Sequence, residues 1–486
     1  MILKDKGFFH TLPENEVEVA AKRHCGLHDN VSAERGPALW QSLSVGFFAG
    51  LFIFGMWYAS KETISVVGVI LVCFYSVLTF LKLSIFCLDL LSPSKTISPQ
   101  SLLSDDDLPI YSLIVPLYAE ADVIPCLLKA LEKIEYPRHK LDILFAIEDD
   151  DAETADALTL YKKQVQDLNI SIISLPFLLP RTKPKALNAV LPYLKGKYAV
   201  IFDAEDRPDP LQLKKAASAF QRAPAHVTAL QARLTFFNSA RNLLTRMFTN
   251  EYDIWFHHYL PGLMRLGLPI PLAGTSTHFR VADLHHIGGW DAYNVTEDCD
   301  MGMRFAKNKL TVQMLDSDTY EEAPITLSVW IKQRTRWLKG YMQTQIVHSS
   351  NFWQDLLSFR PYQFIGFCVI VGGQVLSAFL HPFAIACFFY QFMHDHLMLE
   401  MLFMAQLKPL MVFLLFTGFL LPPLQSILIY SRLKRRRSLF ILSFFHIPYW
   451  MLAAFACYRA CWSLLSSPFH WEKTPHGIDN EEDEAE

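Results

Sequence analysis

A short acidic segment in the middle of the chain has the residue types of a metal site. Asp203, Glu205 and Asp206 follow directly on an apolar stretch, Tyr198–Phe202. Carboxylates this close together repel one another unless a cation neutralises them, and hard oxygen ligands suit Mg²⁺ or Mn²⁺. The segment therefore predicts a divalent cation site, although a solvated acidic turn that caps the next helix would explain the same residues.

A second candidate is the pair Glu297 and Asp298, which precedes a stretch of helical character, Met301–Lys307. A carboxylate at the start of a helix can act as a general base when it lies in a cleft. Alternatively, Thr296 caps that helix and the two acids have a structural role. Taken alone, this segment favours the structural interpretation.

A third candidate combines Gln333, Arg334, Arg336 and Trp337 on one predicted helix that leads toward the apolar end of the chain. A guanidinium group is suited to bidentate phosphate contacts, and an indole offers a flat face on which a sugar can stack. The alternative is an interfacial helix whose arginine and tryptophan side chains anchor at lipid headgroups.

Short apolar strands alternate with helices between residues 110 and 220. The predicted strands are Ile110–Pro116, Leu141–Ile147, Ile170–Leu175 and Tyr198–Phe202. The predicted helices are Ala121–Ile134, Thr154–Leu168, Lys185–Leu194 and Leu211–Phe220. This alternation predicts a doubly wound, mostly parallel sheet, in which ligands bind beyond the carboxyl ends of the strands. Glu120, Glu148 and Asp203 follow such strand ends.

The composition indicates a membrane protein with a large soluble insert. Of the 486 residues, 51% are hydrophobic and only 19% are charged, and the mean hydropathy is +0.19. These values exclude a disordered or fibrous chain. The net charge of −4 gives no argument for a nucleic-acid partner.

The nine cysteines are scattered and lack metal-ligand spacing, so they predict neither a zinc site nor a disulfide framework. They are consistent with a reducing cytoplasmic face.

Four apolar stretches are long enough to cross a bilayer as helices. They are Ser42–Ser60, Ile64–Leu91, Tyr362–Phe392 and Lys408–Tyr430. The basic run 432–437 predicts a cytoplasmic face, which requires residues 362–404 to cross only once. A fifth stretch, Leu439–Leu465, is interrupted at Pro448 and carries Arg459. We expect it to lie along the membrane interface as an amphipathic element.

Together the three candidates complete a known series of motifs. Glu148-Asp149, Asp203-Ala204-Glu205, Thr296-Glu297-Asp298 and Gln333-Arg334-Thr335-Arg336-Trp337 occur in the order of a D, DxD, TED, QxxRW signature. The chain thereby resembles membrane-embedded family 2 glycosyltransferases, the group that includes bacterial cellulose and curdlan synthases. The resemblance extends over roughly residues 40–478, helices on both sides included.

The resemblance implies an α/β GT-A catalytic domain (Rossmann-like, with a mostly parallel sheet) inserted between transmembrane α-helices. It also implies a UDP-sugar donor, Mg²⁺ or Mn²⁺, and inversion at the anomeric carbon. By position in the motifs, Asp298 would be the base, and Asp203 and Glu205 would hold the metal. The implied donor-binding residues are Pro116, Tyr118, Glu120, Glu148, Asp149, Lys185, Asp203 and Arg336. The implied acceptor residues are Trp337, Gln333 and Glu297, and Gly274-Thr275-Ser276 would form an acceptor-side loop.

Two positions depart from the family pattern, and one further segment resembles it. Glu205 stands where the family commonly has Asp, so the metal could be held by Glu205, Asp206 or both. Glu148 stands where a paired Asp is usual, so that motif could shift by one residue. Residues 471–477 resemble a segment that gates the cleft in such synthases, and a juxtamembrane anchor is the alternative.

These features divide the chain into five expected regions. They are a cytoplasmic N-terminal segment (1–40), two transmembrane helices (41–91), the GT-A domain with an interfacial helix (92–350), C-terminal transmembrane and interfacial helices (351–466), and a gating-like segment with an acidic tail (467–486).

The expected function is transfer of a sugar from a UDP-sugar, by family default UDP-glucose, to a growing β-glycan. The expected location is the inner face of the plasma membrane, with the catalytic domain in the cytoplasm and export subunits as potential partners. The alternatives are a single transfer to a lipid acceptor and a non-catalytic scaffold of a polysaccharide export system.

Overall fold

The computed structural model describes residues 8–27, 32–93, 96–99, 101–162, 168–393, 408–433 and 445–472. The strands are β1 (Phe9–Thr11), β2 (Tyr111–Leu117), β3 (Leu141–Glu148), β4 (Ile170–Leu175), β5 (Tyr198–Ile201), β6 (Arg207–Pro208), β7 (Val227–Phe236), β8 (Thr277–Arg280) and β9 (Thr311–Glu321). The four strands predicted from the sequence are β2 to β5, each with bounds within one residue of the prediction.

The helices surround the sheet and extend from it. They are α1 (Glu14–Leu27), α2 (Leu39–Tyr58), α3 (Ser60–Leu91), α4 (Ile124–Glu132), α5 (Ala152–Lys162), α6 (Lys183–Val190), α7 (Gln212–Arg222), α8 (Leu243–Ile254), α9 (Leu260–Arg265), α10 (Val281–His286), α11 (Glu297–Lys307), α12 (Leu327–Val347), α13 (Phe352–Ser358), α14 (Pro361–Phe367), α15 (Gly373–Met393), α16 (Lys408–Arg432) and α17 (His446–Ser466). A π-helical turn, Trp255–Tyr259, joins α8 to α9.

The strands form one nine-stranded sheet in the order β1-β4-β3-β2-β5-β8-β7-β9-β6. The half from β1 to β5 is entirely parallel, whereas β8 pairs antiparallel with both β5 and β7. Alternate residues of β2 enter different cores: Leu113 packs with Phe145 on one face, and Ile114 packs with Leu144 on the other. A parallel sheet covered on both faces requires this continuous apolar run, because neither face contacts water.

The N-terminal segment, predicted only as a polar lead-in, contributes to the domain. β1 pairs in parallel with the edge strand β4, and Val17 of α1 is fully buried in the core that contains Ile114. The side chain of Glu16 accepts a 2.5 Å hydrogen bond from the Tyr193 hydroxyl. A three-residue strand and a mixed-charge helix leave too weak a periodic pattern to be recognised from sequence.

Four helices are long and apolar enough to cross a membrane, judged by length and composition within the described residues. They are Leu39–Tyr58, Ser65–Leu91, Pro361–Ala386 and Pro409–Arg432, and each overlaps one of the four predicted spans. None of the side chains of α2 is buried, as expected for a helix that faces lipid. The expected interfacial element coincides with α17 from His446 onward; residues 439–444 lie outside the described residues.

Two glycines let α11 approach its neighbours closely enough to present its first turn to the cleft. A Cβ on Gly302 would lie 2.1 Å from the backbone oxygen of Ile270. A Cβ on Gly340 of α12 would lie 2.3 Å from the hydroxyl oxygen of Thr296, just before α11. Both separations are far below van der Waals contact, so any larger residue would displace α11 from the segment before β8 or from α12.

Gly302→Ala should therefore destabilise the protein, although the same change in an open helix normally stabilises it by about 0.4–1 kcal/mol. We expect a loss of about 1–3 kcal/mol, because the backbone of residue 270 must move. Thermal unfolding of the purified protein in detergent measures the effect. Gly46→Ala is the matched control, since a Cβ at Gly46 meets nothing within 4 Å; equal melting temperatures for the two variants would contradict the packing argument.

Candidate active site

A cleft of about 340 Å³ opens at the carboxyl ends of β2, β3 and β5, and α12 closes its far side. Eleven of the thirteen residues predicted for the site line this cleft: Pro116, Tyr118, Glu120, Glu148, Asp203, Glu205, Glu297, Asp298, Gln333, Arg336 and Trp337. Asp149 and Lys185 are not among the lining residues. The four segments recognised in the sequence are thus brought to one place by the fold.

The acidic residues after β5 have separate roles. Asp203 and Glu205 line the cleft, whereas Asp206 is buried beneath it with 1% exposure. One carboxylate oxygen of Asp206 accepts hydrogen bonds from the Asp203 amide, at 2.7 Å, and from the Thr275 hydroxyl. Its other oxygen, Oδ1, is buried without a hydrogen-bond partner among the described residues. Burial, with the nearby charges of Asp203 and Glu205, raises the pKa of Asp206 well above its usual value.

A lysine that the sequence interpretation passed over lies at the centre of the cleft. Lys183 forms an ion pair with Asp203 and donates a 2.8 Å hydrogen bond to the backbone oxygen of Gly274. Burial lowers the pKa of Lys183, but the charges of Asp203, Glu297 and Asp206 outweigh it, so the pKa lies above its usual value. The ammonium group therefore stays charged and is available to a phosphate.

Lys185, the basic residue expected near the donor, lies behind the cleft. Its side chain is fully buried and forms an ion pair with Glu148 at 2.9 Å; it also donates to the Leu178 backbone oxygen at 2.8 Å. The two lysines flank Pro184 in the first turn of α6. Lys183, not Lys185, lines the cleft, a difference that depends on which way the first turn faces the sheet.

A further carboxylate joins the acidic cluster from a distant part of the chain. Glu321, at the end of β9, lines the cleft. Burial raises its pKa, and the charges of Asp206, Glu205 and Asp203 raise it further. No sequence motif identified Glu321, because only the pairing of β9 with β7 brings it to this edge of the sheet.

Glu297 and Asp298 occupy the first turn of α11, facing into the cleft. Thr296 does not cap this helix with its side chain, contrary to the alternative considered above. Asp298 instead accepts a 2.7 Å hydrogen bond from the Cys299 amide, and the positive end of the helix dipole favours both carboxylates. Only Gly340 allows the Thr296 side chain to fit against α12.

The two carboxylates of this turn differ in basicity. Burial raises the pKa of Asp298 to about 6, while the Cys299 amide, Lys183 and Arg336 limit the rise. Burial and the adjacent charge of Asp298 raise the pKa of Glu297 to about 8. Because the two carboxylates interact, they lose their protons in two steps that belong to the pair, and near pH 7 the pair carries about one negative charge.

One face of α12 supplies the wall of the cleft, because Gln333, Arg336 and Trp337 lie three and four residues apart. The Arg336 guanidinium lies 4.3 Å from the centre of the Trp471 ring. Arg336 Nε and Gln333 Oε1 are buried with no hydrogen-bond partner among the described residues. Unpaired polar atoms that face a cleft are suited to binding a polar ligand.

The second arginine of this motif has a structural role. Arg334 makes a two-point contact with the Glu251 carboxylate, at 2.7 and 2.5 Å, and lies 4.9 Å from the centre of the Trp337 ring. The Trp337 ring stacks against Phe248 at 6.0 Å. This packing fixes the orientation of the indole that faces the cleft.

The opposite end of the cleft carries an aromatic and cationic pair. Tyr118 is 40% exposed, and the Arg181 guanidinium lies 4.7 Å from its ring centre and donates a 3.0 Å hydrogen bond to its hydroxyl. Arg181 also forms an ion pair with Asp150. Sequence reasoning did not select Arg181, since it precedes α6 in a loop without a motif of its own.

Residues that could hold a metal ion are present, but they do not enclose one. Among the described residues, no group of three or more His, Cys, Asp or Glu side chains is arranged to hold a metal ion. Asp203 and Glu205 alone would leave most coordination positions open. Mg²⁺ typically binds in this way, through one or two carboxylates together with substrate phosphates and water.

Of the segment compared with a gating element, only Trp471 and Glu472 are described. Trp471 lines the cleft beside Arg336. The Glu472 carboxylate receives two 2.8 Å hydrogen bonds from the Arg459 guanidinium of α17. Residues 473–477 lie outside the described residues.

Comparison with known proteins gives two family matches. Residues 198–465 match a family model described as glycosyl transferase family group 2, and residues 112–283 match one described as glycosyl transferase family 2. The first of these covers more than half of the chain.

Several curated proteins are similar over about half of the chain. A probable glycosyltransferase, YdaM, from Bacillus subtilis is 26% identical over 236 residues, covering 48% of this chain and 56% of the relative. A beta-monoglucosyldiacylglycerol synthase from Nostoc sp. is 28% identical over 257 residues, covering 52% of each. A glucomannan 4-beta-mannosyltransferase 7 from Arabidopsis thaliana is 24% identical over 299 residues, covering 55% of this chain and 52% of the relative. The chain thus spans about half the length of the curated relatives it matches.

A solved structure is similar at a lower level. The mannosyltransferase PcManGT from Pyrobaculum calidifontis, solved in complex with GDP-Man and Mn²⁺, is 16% identical with a TM-score of 0.45. The match covers 82% of this chain and 99% of the other, and the TM-score is too low to support an argument about function.

The family matches and the sheet architecture establish the class of the protein. The chain has a GT-A-like fold with flanking apolar helices, and it belongs to glycosyl transferase family group 2.

Proposed function

We propose that the protein transfers a sugar, with inversion, from a UDP-sugar to an acceptor hydroxyl at the membrane surface. One observation carries this proposal: a carboxylate and a cation face each other across a gap that Gly274 keeps open. A Cβ on Gly274 would lie 3.2 Å from Asp298 Oδ2 and 3.7 Å from Lys183 Nζ. Asp298 as a base and Lys183 as a phosphate-binding group would therefore lie on either side of one small gap. This arrangement suits a displacement reaction at a sugar carbon that lies between them.

Asp298 is proposed as the general base. It would take the proton of the acceptor hydroxyl as that oxygen attacks the anomeric carbon from the face opposite the diphosphate. The bond from the anomeric carbon to the diphosphate oxygen then breaks, and UDP leaves with the electron pair. A base with a pKa near 6 is mostly ionised at pH 7 yet still basic enough to assist such an attack.

Negative charge grows on the diphosphate as it leaves, and two cationic side chains are suited to stabilise it. Lys183 and Arg336 both line the cleft near Asp203 and Glu297. A bound Mg²⁺ or Mn²⁺ held by Asp203 and Glu205 would neutralise further charge on the phosphates. Asp206 is less suited to this role, because one of its oxygens already holds the Asp203 amide and Thr275.

The donor base is proposed to lie toward Tyr118 and Arg181. A partly exposed phenol ring beneath a guanidinium offers a flat surface for a planar heterocycle. Glu120 and Glu148 lie beside it as hydrogen-bond acceptors. UDP-glucose remains the expected donor on the family resemblance alone.

The acceptor is proposed to lie against Trp337, whose ring is fixed by Phe248 and Arg334. A flat indole suits the face of a sugar ring, which supports the expected growing β-glycan. Transfer of one sugar to a lipid is the second candidate, favoured by the similarity to a beta-monoglucosyldiacylglycerol synthase. Location in the plasma membrane with a cytoplasmic catalytic domain is part of this proposal, whereas no observation supports export subunits.

Asp298→Asn should lower the turnover number by about 10²–10⁴-fold while leaving donor binding within a few-fold of wild type, because the amide cannot accept the proton. Transfer of label from UDP-sugars in membrane vesicles, together with UDP binding to the purified protein, measures both quantities. Asp156→Asn, on the exposed side of α5, is the matched control. If Asp298→Asn retained more than a tenth of the wild-type turnover, Asp298 could not be the general base.

Combined Asp203→Asn and Glu205→Gln substitutions should abolish the dependence of UDP binding on divalent cations. For the wild type we expect Mn²⁺ to strengthen UDP binding about tenfold or more over a chelator, since the metal joins carboxylates to phosphates. Calorimetric titration of UDP with and without Mn²⁺ measures this, and Asp122→Asn, an exposed residue after β2, is the control. If the wild type bound UDP as strongly in chelator as in Mn²⁺, the proposed metal site would be contradicted.

A further inference from the structure

A second cavity, of about 230 Å³, lies among the apolar helices and away from the catalytic cleft. Helices α3, α15, α16 and α17 line it with apolar side chains such as Val72, Phe383, Met411 and Trp450. A carbohydrate chain would leave its hydroxyl groups unpaired against such a lining. The lining therefore suits hydrocarbon chains.

Polar side chains also reach this apolar space, and two of them leave a polar atom without a hydrogen bond among the described residues. Lys82, Tyr75 and His381 all line the cavity. The Tyr75 hydroxyl and His381 Nδ1 have no hydrogen-bond partner in the described part of the chain. The described residues place no carboxylate against Lys82, whose side chain is exposed, and the imidazole of His381 is a neighbouring titratable group. A cation beside an apolar cavity indicates a ligand that combines an anion with hydrocarbon.

The position of Lys82 along α3 places it at the level of lipid headgroups. Lys82 follows Ser65, where the candidate span begins, by 17 residues, a rise of about 26 Å in a helix, against roughly 30 Å for the hydrocarbon core. One turn later, Ile85 packs so closely on Gly262 of α9 that a Cβ there would lie 2.4 Å from it. Asp89 then accepts a 2.8 Å hydrogen bond from the ring of His258. Both partners belong to the catalytic domain, so Lys82 lies at its membrane boundary.

We propose that this cavity binds an anionic phospholipid, with its phosphate on Lys82 and its acyl chains among α3, α15, α16 and α17. The Lys82 ammonium donates hydrogen bonds to the phosphate oxygens. This occupant satisfies both the apolar lining and the unpaired charge, whereas a neutral lipid would satisfy only the lining.

The lipid site and the catalytic cleft share one helix. Gln374 of α15 lines the catalytic cleft, and Ser377, one turn further, lines the cavity. A lipid in the cavity therefore supports the helix that borders the active site. The site is distinct from the acceptor position, and the proposal does not depend on whether the acceptor is a glycan or a lipid.

Gly418 offers a way to fill the cavity without disturbing the backbone. It lines the cavity on α16, and a Cβ there meets nothing within 4 Å. Gly418→Phe should therefore fold normally and block lipid binding. Gly50→Phe is the matched control, because a Cβ at Gly50 on α2 also meets nothing within 4 Å and Gly50 does not line the cavity.

The test is native mass spectrometry of the full chain, purified and exchanged with phosphatidylglycerol or phosphatidylcholine, with no sugar donor present. We expect retained phosphatidylglycerol, with occupancy at least about tenfold higher than that of phosphatidylcholine, since both lipids carry a phosphate anion but the choline cation of phosphatidylcholine repels the Lys82 ammonium. Gly418→Phe should remove this lipid, and Gly50→Phe should keep it.

Substitutions of Lys82 test whether lipid binding depends on the charge of this side chain or only on its shape. Lys82→Met should reduce phosphatidylglycerol occupancy to the phosphatidylcholine level, and Lys82→Arg should restore it. Unchanged occupancy in both Gly418→Phe and Lys82→Met, or glycan found in place of lipid, would overturn the proposal. Because no transfer reaction is measured in this test, its failure leaves the proposed function intact. The result of the Asp298→Asn experiment, in turn, does not bear on lipid binding.

Discussion

The arrangement of the catalytic cleft depends on an excess of clustered carboxylates at the carboxyl edge of the sheet. Asp203, Glu205, Asp206 and Glu321 converge there, and Lys183 is the cation paired directly with this cluster. Burial raises the pKa of Asp206 and Glu321, and the neighbouring carboxylates raise it further, since like charges in so small a space cannot all ionise. A divalent cation bound there would relieve this repulsion and would also neutralise the diphosphate that leaves in the proposed reaction.

The membrane-facing helices hold the rest of the machinery against this cluster. Helix α12 packs along α17, where Lys339 donates to the backbone oxygens of Ser467 and His470 at 3.1 and 2.9 Å. The same helix carries Arg336 and Trp337 into the cleft. The proposed acceptor wall is therefore built on an element joined to the membrane part of the chain, which is consistent with an acceptor delivered at the membrane surface.

Local patterns identified most of the fold and the site, because the chemistry is concentrated at strand ends. Strands β2 to β5 have continuous apolar runs, and the carboxylates that follow them are visible in the sequence. What the sequence did not identify depends on orientation or on distant pairing. Lys183 and Lys185 are two residues apart, and only the packing of α6 shows which of them faces the cleft. Glu321 reaches the site through the pairing of β9 with β7, and no local pattern encodes that.

The most direct test of this account is the configuration of the product's anomeric carbon. An α-linked UDP-sugar accepted by the enzyme would be converted, and proton NMR of the purified product would report the new linkage. A single displacement assisted by Asp298 predicts a β linkage from the first turnover. A product that retains the α linkage would require two displacements or a different attacking face, and would contradict the roles assigned to Asp298 and Lys183.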